Sequence, residues 1–92
     1  ERDEAETIAL QCITFLAEDP SRISRFIALT GIAVQDLTKN IENVDILAAA
    51  LDYLMREESL MLMFASNYGI SVHRLPAARA ALENIATQQI QE

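Results

Sequence analysis

The sequence is poor in the residues that build strands, tight turns and aromatic cores. It has no tryptophan, and its aromatic residues are two tyrosines and three phenylalanines. Two glycines and two prolines are the only strong helix breakers in the chain. The apolar fraction of 51% consists mostly of Ala, Leu and Ile. Because Ala and Leu favour helices, and because the β-branched and aromatic runs typical of strands are missing, the composition predicts an all-α fold.

Cysteine and histidine are also scarce, and this limits the chemistry that the chain can perform. A lone cysteine, Cys12, cannot form an intramolecular disulfide, which is typical of a cytoplasmic protein. Together with the single histidine, His73, it cannot supply the usual four ligands of zinc. Cys12 lies on an apolar helical stripe and is expected in the core. Neither residue has a catalytic neighbour in sequence, so we predict no enzymatic activity, no cofactor, no metal and no small-molecule ligand.

Long apolar runs and excess positive charge are absent as well. No stretch reaches the roughly 18 apolar residues that a membrane-spanning helix needs, and the acidic N-terminal region does not resemble a signal peptide. The net charge of −7 disfavours nucleic acid and anionic membranes as general partners. Because the chain begins with Glu1 rather than Met, we expect a disordered or removed stretch to precede it.

The apolar periodicity predicts six helices within one domain, residues 1–92, arranged as a compact bundle of five to six helices. They cover residues 3–17, 20–29, 34–39, 44–56, 59–68 and a last helix from a Ser71 cap to about residue 88. Asp19 and Asn43 are predicted N-caps, and Gly31 and Gly69 are predicted helix ends. The predicted core positions are Ala5, Ile8, Ala9, Cys12, Ile13 and Leu16; Ile46, Leu47, Ala50, Leu51, Leu54 and Met55; and Ala78, Leu82, Ile85 and Ile90.

Two segments of the chain resemble each other at an offset of 38 residues. Residues 26–37 (FIALTGIAVQDL) align with residues 64–75 (FASNYGISVHRL), and five positions are identical. The similarity extends upstream without a gap and defines two pseudo-repeated helical units, about 6–38 and 44–76. The alternative is chance similarity between Leu-rich amphipathic helices. If the repeat is real, the two units share one core, stacked in parallel or related by a pseudo-twofold axis.

The fifth predicted helix carries the first functional hypothesis. Its segment LMLMFA, residues 60–65, is apolar on every side. Such a helix is either central in the core or covered by another protein, and Met adapts well to partner surfaces. The candidate interface residues are Leu60, Met61, Met63 and Phe64. We therefore predict a module for protein interaction or self-association, with a protein partner or a homodimer as the expected assembly.

The alternative hypothesis is a DNA-binding regulator of the helix-turn-helix type. Ala65, Gly69, Leu75 and Ala78 have the spacing of that motif, which makes residues 71–79 the recognition helix. The candidate DNA contacts are then Ser71, His73, Arg74 and Arg79. Pro76 inside this helix and the acidic composition argue against the alternative, so nucleic acid is not the expected partner.

Several stretches resemble a known protein family. They are ALQ (residues 9–11), FLAEDP (15–20), RFIALTG (25–31), Asp36-Leu37 and LDYL (51–54). They resemble a group of short alphaproteobacterial proteins known only as a domain of unknown function, over about residues 4–86. The resemblance implies a bacterial cytoplasmic protein. It implies no activity, cofactor or catalytic residue.

Overall fold

A computed structural model describes the backbone of residues 2–91 and the side chains of residues 3–84. Within residues 2–91 the chain forms six helices and no strand, which confirms the predicted all-α bundle. The helices are α1 (Arg2–Ala17), α2 (Pro20–Thr30), α3 (Val34–Lys39), α4 (Val44–Arg56), α5 (Glu58–Tyr68) and α6 (Arg74–Gln91). In this part of the chain, no helix has the length and apolar character needed to cross a membrane.

The helix boundaries follow from the predicted capping residues. The Asp19 carboxylate accepts hydrogen bonds from the backbone N–H groups of Ser21 (2.8 Å) and Arg22 (3.4 Å) at the start of α2. At the start of α4, the side-chain oxygen of Asn43 accepts a hydrogen bond from the backbone N–H of Asp45 (2.7 Å). Each side chain thus satisfies an N–H group that has no acceptor within the helix, which confirms both N-caps.

The last helix begins later than predicted. Ser71 does not cap α6 directly, because its hydroxyl accepts the backbone N–H of His73 (3.3 Å) within a preceding turn. The helix begins at Arg74, so Pro76 is its third residue. The first N–H groups of a helix have no intrahelical acceptor, and the missing N–H of Pro76 therefore costs no hydrogen bond. At its other end the helix continues past residue 88 to Gln91.

The core forms where α1, α4 and α6 meet. These three helices pack against one another, α2 packs on α1 and α4, and α5 packs on α4. All six predicted core residues of α1 are buried. In α4, five predicted residues are buried, Met55 is half-buried, and Ala48 and Tyr53 are buried in addition. In α6, Ala78 and Leu82 are buried as predicted, whereas Ile85 and Ile90 lie outside the side chains that the structure describes.

Candidate functional site

The surface of α5 that faces away from the bundle contains two large apolar side chains. Leu62 is 52% exposed and Met63 is 42% exposed. The other exposed residues of this surface are polar: Glu58, Ser59, Ser66 and Asn67. We call these six residues the α5 face. Leu60 and Met61, two predicted interface residues, are half-buried against the core and border this face.

The fourth predicted interface residue, Phe64, was assigned wrongly. Its side chain is fully buried. The ring packs against Phe15 of α1 and against Tyr68, one helical turn further along α5, with a centroid separation of 4.9 Å to Tyr68. Phe64 therefore anchors α5 to the bundle and is unavailable to a partner.

Leu62 was not among the predicted interface residues, although the sequence contains a signal for its exposure. The polar residues Glu58, Ser59, Ser66 and Asn67 recur at spacings of three and four, which places them on one side of a helix. Leu62 and Met63 lie midway between them on that same side. Solvent exposure of the flanking polar residues therefore requires exposure of Leu62 and Met63.

A cation from α2 lies next to the α5 face. Nη2 of Arg22 is 3.2 Å from Sδ of Met63, and Nη1 donates a hydrogen bond to the backbone carbonyl of Phe15 (3.1 Å). The guanidinium also lies 4.2 Å from the centroid of the Phe15 ring. Since α1 has no basic residue in its last turn, Arg22 supplies the positive charge that the carbonyl end of a helix favours. These contacts hold Arg22 in place without a carboxylate from residues 3–84.

A second pair of exposed apolar residues flanks the turn between α2 and α3. Leu29 is 60% exposed and Val34 is 59% exposed. The turn between them contains Gly31, whose φ of 76° ends α2. The sequence patterns above did not predict this exposure.

The candidate DNA-contacting residues do not form an unpaired basic surface. Arg74 makes a salt bridge with Glu4 of α1. Nε of Arg79 donates to Oδ1 of Asp52 in α4 (2.9 Å), and Nη1 of Arg79 lies 3.9 Å from Glu83. Ser71 and His73 are exposed in the turn before α6. Phosphate groups would have to compete with these carboxylates for both arginines.

An open groove of about 420 Å³ lies between α1 and the turn that joins α5 to α6. Its lining includes Thr7, Gln11, Tyr68 and Arg74 but not His73. The Tyr68 hydroxyl donates to Oε2 of Glu18 (3.2 Å), and desolvation together with the negative charge of Glu18 raises the pKa of this phenol. A raised pKa keeps the phenol protonated, which is the opposite of what a nucleophile or a general base requires.

Cys12 is fully buried, and its burial raises the pKa of the thiol to about 12. The thiolate that a nucleophile or metal ligand needs is therefore not formed near neutral pH. Among the described residues, no three His, Cys, Asp or Glu side chains are grouped so that they could hold a metal ion.

Comparison with known protein families establishes what the chain belongs to. Residues 2–84 match the family described as "Protein of unknown function (DUF3572)". Because the match covers most of the chain, this protein is a member of that family. No curated protein and no solved structure matches the chain. The family identifies no activity, ligand or partner, so the function has to be argued from the surface of the molecule.

Proposed function

We propose that this protein is a non-enzymatic interaction module of the bacterial cytoplasm that binds a partner protein through the α5 face. The proposal is carried by one observation, the exposure of the adjacent Leu62 and Met63 beside the cation of Arg22. Leu and Met side chains at the centre of a polar rim have the anatomy of a protein interface, and Met adapts its shape to the surface it meets.

The charge of Arg22 specifies the chemistry of the bound segment. Arg22 is fixed by a carbonyl and an aromatic ring, and its guanidinium makes no salt bridge with a carboxylate of residues 3–84. A partner that places a carboxylate beside Arg22 and apolar side chains over Leu62 and Met63 would complement the face. The proposed occupant is an amphipathic helix of another protein with an Asp or Glu at the edge of its apolar side.

The size of the molecular surface supports a partner that docks on a domain which is already folded. The accessible surface of the chain is 5573 Å². A compact monomer of 10.2 kDa is expected to expose about 5,300 Å². The similarity of the two areas supports a domain that folds before it binds a partner. The α5 face is then an optional contact of a stable domain.

The test compares three forms of the tagged full chain in pull-downs from the native lysate with nuclease present. They are the wild type, a face variant with Leu62→Ser and Met63→Gln, and a control with Leu29→Ser and Val34→Thr, two exposed apolar residues outside the α5 face. We expect a stoichiometric protein that the wild type and the control retain and the face variant loses. A synthetic helix from that protein, containing the acidic residue, should then bind the wild type at least ten-fold more tightly than Arg22→Gln by fluorescence anisotropy. If the face variant retains every bound protein, the α5 face is not the interface.

The helix-turn-helix alternative, with residues 71–79 as the recognition helix, has one observation in its favour. The helix α5, the Gly69 turn and the helix α6 follow one another in the order that this motif requires. The salt bridges of Arg74 and Arg79 are the reason for ranking it second. It predicts that fluorescent duplex DNA binds at low salt and that Arg74→Ala abolishes the binding. No change in anisotropy at low salt would exclude it.

A further inference from the structure

Helix boundaries in the structure recur at the offset of the sequence repeat. The helix α2, Pro20–Thr30, shifted by 38 residues, covers residues 58–68, and these are the bounds of α5. Gly31 and Gly69 end the two helices with left-handed backbone angles, φ 76° and 64°. The N–H of Gly31 bonds to the carbonyl of Ile27 and that of Gly69 to the carbonyl of Ala65, which are again 38 positions apart.

Aromatic contacts between the two repeat units are reciprocal. Phe15 and Tyr53 are equivalent at this offset, and so are Phe26 and Phe64. The rings of Phe15 and Phe64 pack edge to face, with centroids 5.6 Å apart. Those of Tyr53 and Phe26 also pack edge to face, with centroids 5.3 Å apart. The first helix of each unit thus contacts the second helix of the other unit.

Reciprocity distinguishes the two arrangements of the repeat units. In a parallel stack, the first unit contacts the second through one surface and the second unit would contact a third copy through the same surface. A contact between two units is then not repeated in the opposite direction. Only an approximate twofold axis exchanges the units, so that the contact of Phe15 with Phe64 implies the contact of Tyr53 with Phe26. These two aromatic contacts are therefore related as in a dimer interface within one chain, whereas the packing of α6 on α1 and α4 has no counterpart of similar extent in the first unit.

We infer that a second copy of this chain fits the same interface, with the unit before residue 40 of one copy bound to the unit after residue 43 of the other. The units are joined by the short turn at residues 40–43, which is closed by a hydrogen bond from the N–H of Asn43 to the carbonyl of Asn40 (2.9 Å). Opening this turn allows an exchanged dimer in which every contact between units is made again between chains. This inference goes beyond the proposed function, because it uses the core interface rather than the α5 face.

A shortened turn should force this exchange. Deletion of Ile41 and Glu42 removes two of the four residues that join α3 to α4, and we expect the shortened connection to prevent the two units of one chain from folding back on each other. We expect the shortened chain to have twice the 10.2 kDa mass of the monomer by light scattering. A matched control that inserts Gly-Ser-Gly at the same turn should remain monomeric.

Cross-linking distinguishes an exchanged dimer from association of two closed chains. Glu4 and Arg74 make a salt bridge between the two units, so both are replaced by cysteine (Glu4→Cys, Arg74→Cys) in the shortened chain and joined with a short bis-maleimide. Cys12 is buried and does not compete for the reagent in the folded protein. Links between chains on a denaturing gel are expected. Links only within chains, or a monomer, would overturn the inference.

The same cysteine pair in a chain with its natural turn provides a second test, in case the shortened chain does not fold. This protein is unfolded in urea and refolded either dilute or at millimolar concentration before cross-linking. We expect links within chains after dilute refolding and a substantial fraction of links between chains after concentrated refolding. Equal, purely intrachain patterns under both conditions would also overturn the inference. Leu62→Ser should not change either cross-linking pattern. The test of chain exchange is therefore independent of whether the α5 face binds a partner.

Discussion

Phe15 of α1 packs the edge of its ring against Phe64 of α5 at a centroid distance of 5.6 Å and an interplanar angle of 64°. Both side chains are fully buried. The electron-rich face of one aromatic ring attracts the electron-poor edge of another, so this geometry stabilises more than the buried area alone. The contact attaches α5 to the bundle and thereby orients Leu62 and Met63 toward solvent.

This contact should be measurable in a double-mutant cycle of Phe15→Leu and Phe64→Leu. Each replacement keeps an apolar side chain but removes the edge-to-face pair, and we expect a coupling of about 0.5–1.5 kcal/mol in the free energy of unfolding. Urea unfolding followed by circular dichroism provides the measurement. Phe15→Leu combined with Phe26→Leu is the control pair and should be nearly additive. Strict additivity for Phe15 and Phe64 would contradict the expected stacking energy.

Replacing Tyr53 by phenylalanine should not destabilise the protein. The Tyr53 hydroxyl is buried and has no hydrogen-bond partner among the described residues. Since an unsatisfied buried hydroxyl costs free energy, Tyr53→Phe should leave the free energy of unfolding unchanged or raise it by up to about 1 kcal/mol. The ring contact with Phe26 is retained in the variant. A loss above about 1 kcal/mol in thermal or urea unfolding would show that the hydroxyl is hydrogen-bonded after all.

Stability should fall in alkaline solution because of Cys12. Burial raises the pKa of this thiol in the folded protein from an ordinary value of 9.0 to about 12. Above pH 9 the unfolded chain releases this proton while the folded chain keeps it, so the unfolded state is favoured as the pH rises toward 12. Ionisation of this thiol in the unfolded chain lowers the free energy of unfolding by up to roughly 1.4 kcal/mol for each pH unit between these two pKa values.

The control for this pH dependence is Cys12→Ala, which cannot ionise at this position. Its free energy of unfolding should fall less steeply than that of the wild type when both are measured between pH 8 and 10.5. Parallel pH profiles would mean that the thiol ionises equally in both states. Thiol labelling gives an independent measurement, since the native wild type should react far more slowly than the chain in denaturant.

The two helix-ending glycines should resist replacement by alanine. Both have positive φ angles, and a Cβ atom at either site would meet nothing within 4 Å. The cost of Gly31→Ala or Gly69→Ala is therefore conformational rather than steric crowding by neighbours, and we expect about 1 kcal/mol for each. Asparagine adopts the left-handed conformation more readily, so Gly31→Asn and Gly69→Asn should be milder in thermal unfolding. Equal losses for Ala and Asn would argue against this explanation.

The parts of the fold that could be predicted from sequence are those where polar and apolar residues alternate with the helical period. In α1 the predicted stripe from Ala5 to Leu16 has the three-and-four spacing of a helix, and every predicted member is buried, although the buried Phe15 beside it was not predicted. The capping residues Asp19 and Asn43 were equally predictable, because their hydrogen bonds involve only neighbours in the chain. Local physical rules determine both kinds of feature.

Prediction failed where the local pattern does not distinguish one side of a helix from another. In residues 60–65 every position is apolar, so the periodicity of this segment alone did not separate the buried Phe64 from the exposed Leu62, and only the polar residues on either side of the segment mark its exposed side. Their different environments depend on Phe15, which is distant in sequence. The salt bridges of Arg74 with Glu4 and of Arg79 with Asp52 depend in the same way on how the helices pack. The sequence therefore suggested a basic recognition surface that the packed bundle largely neutralises.

The exchange of aromatic contacts between the two units also affects how the protein is made. A ribosome releases the first unit before the second, and the buried ring partners of Phe15 and Phe26 are Phe64 and Tyr53, which are synthesised later. Until those residues emerge, the nascent chain presents an unpaired apolar surface that matches the second unit of any finished neighbour. Crowded polysomes would then favour pairing between chains, and the turn at residues 40–43 opposes it, because it is long enough to let the second unit of the same chain fold back first.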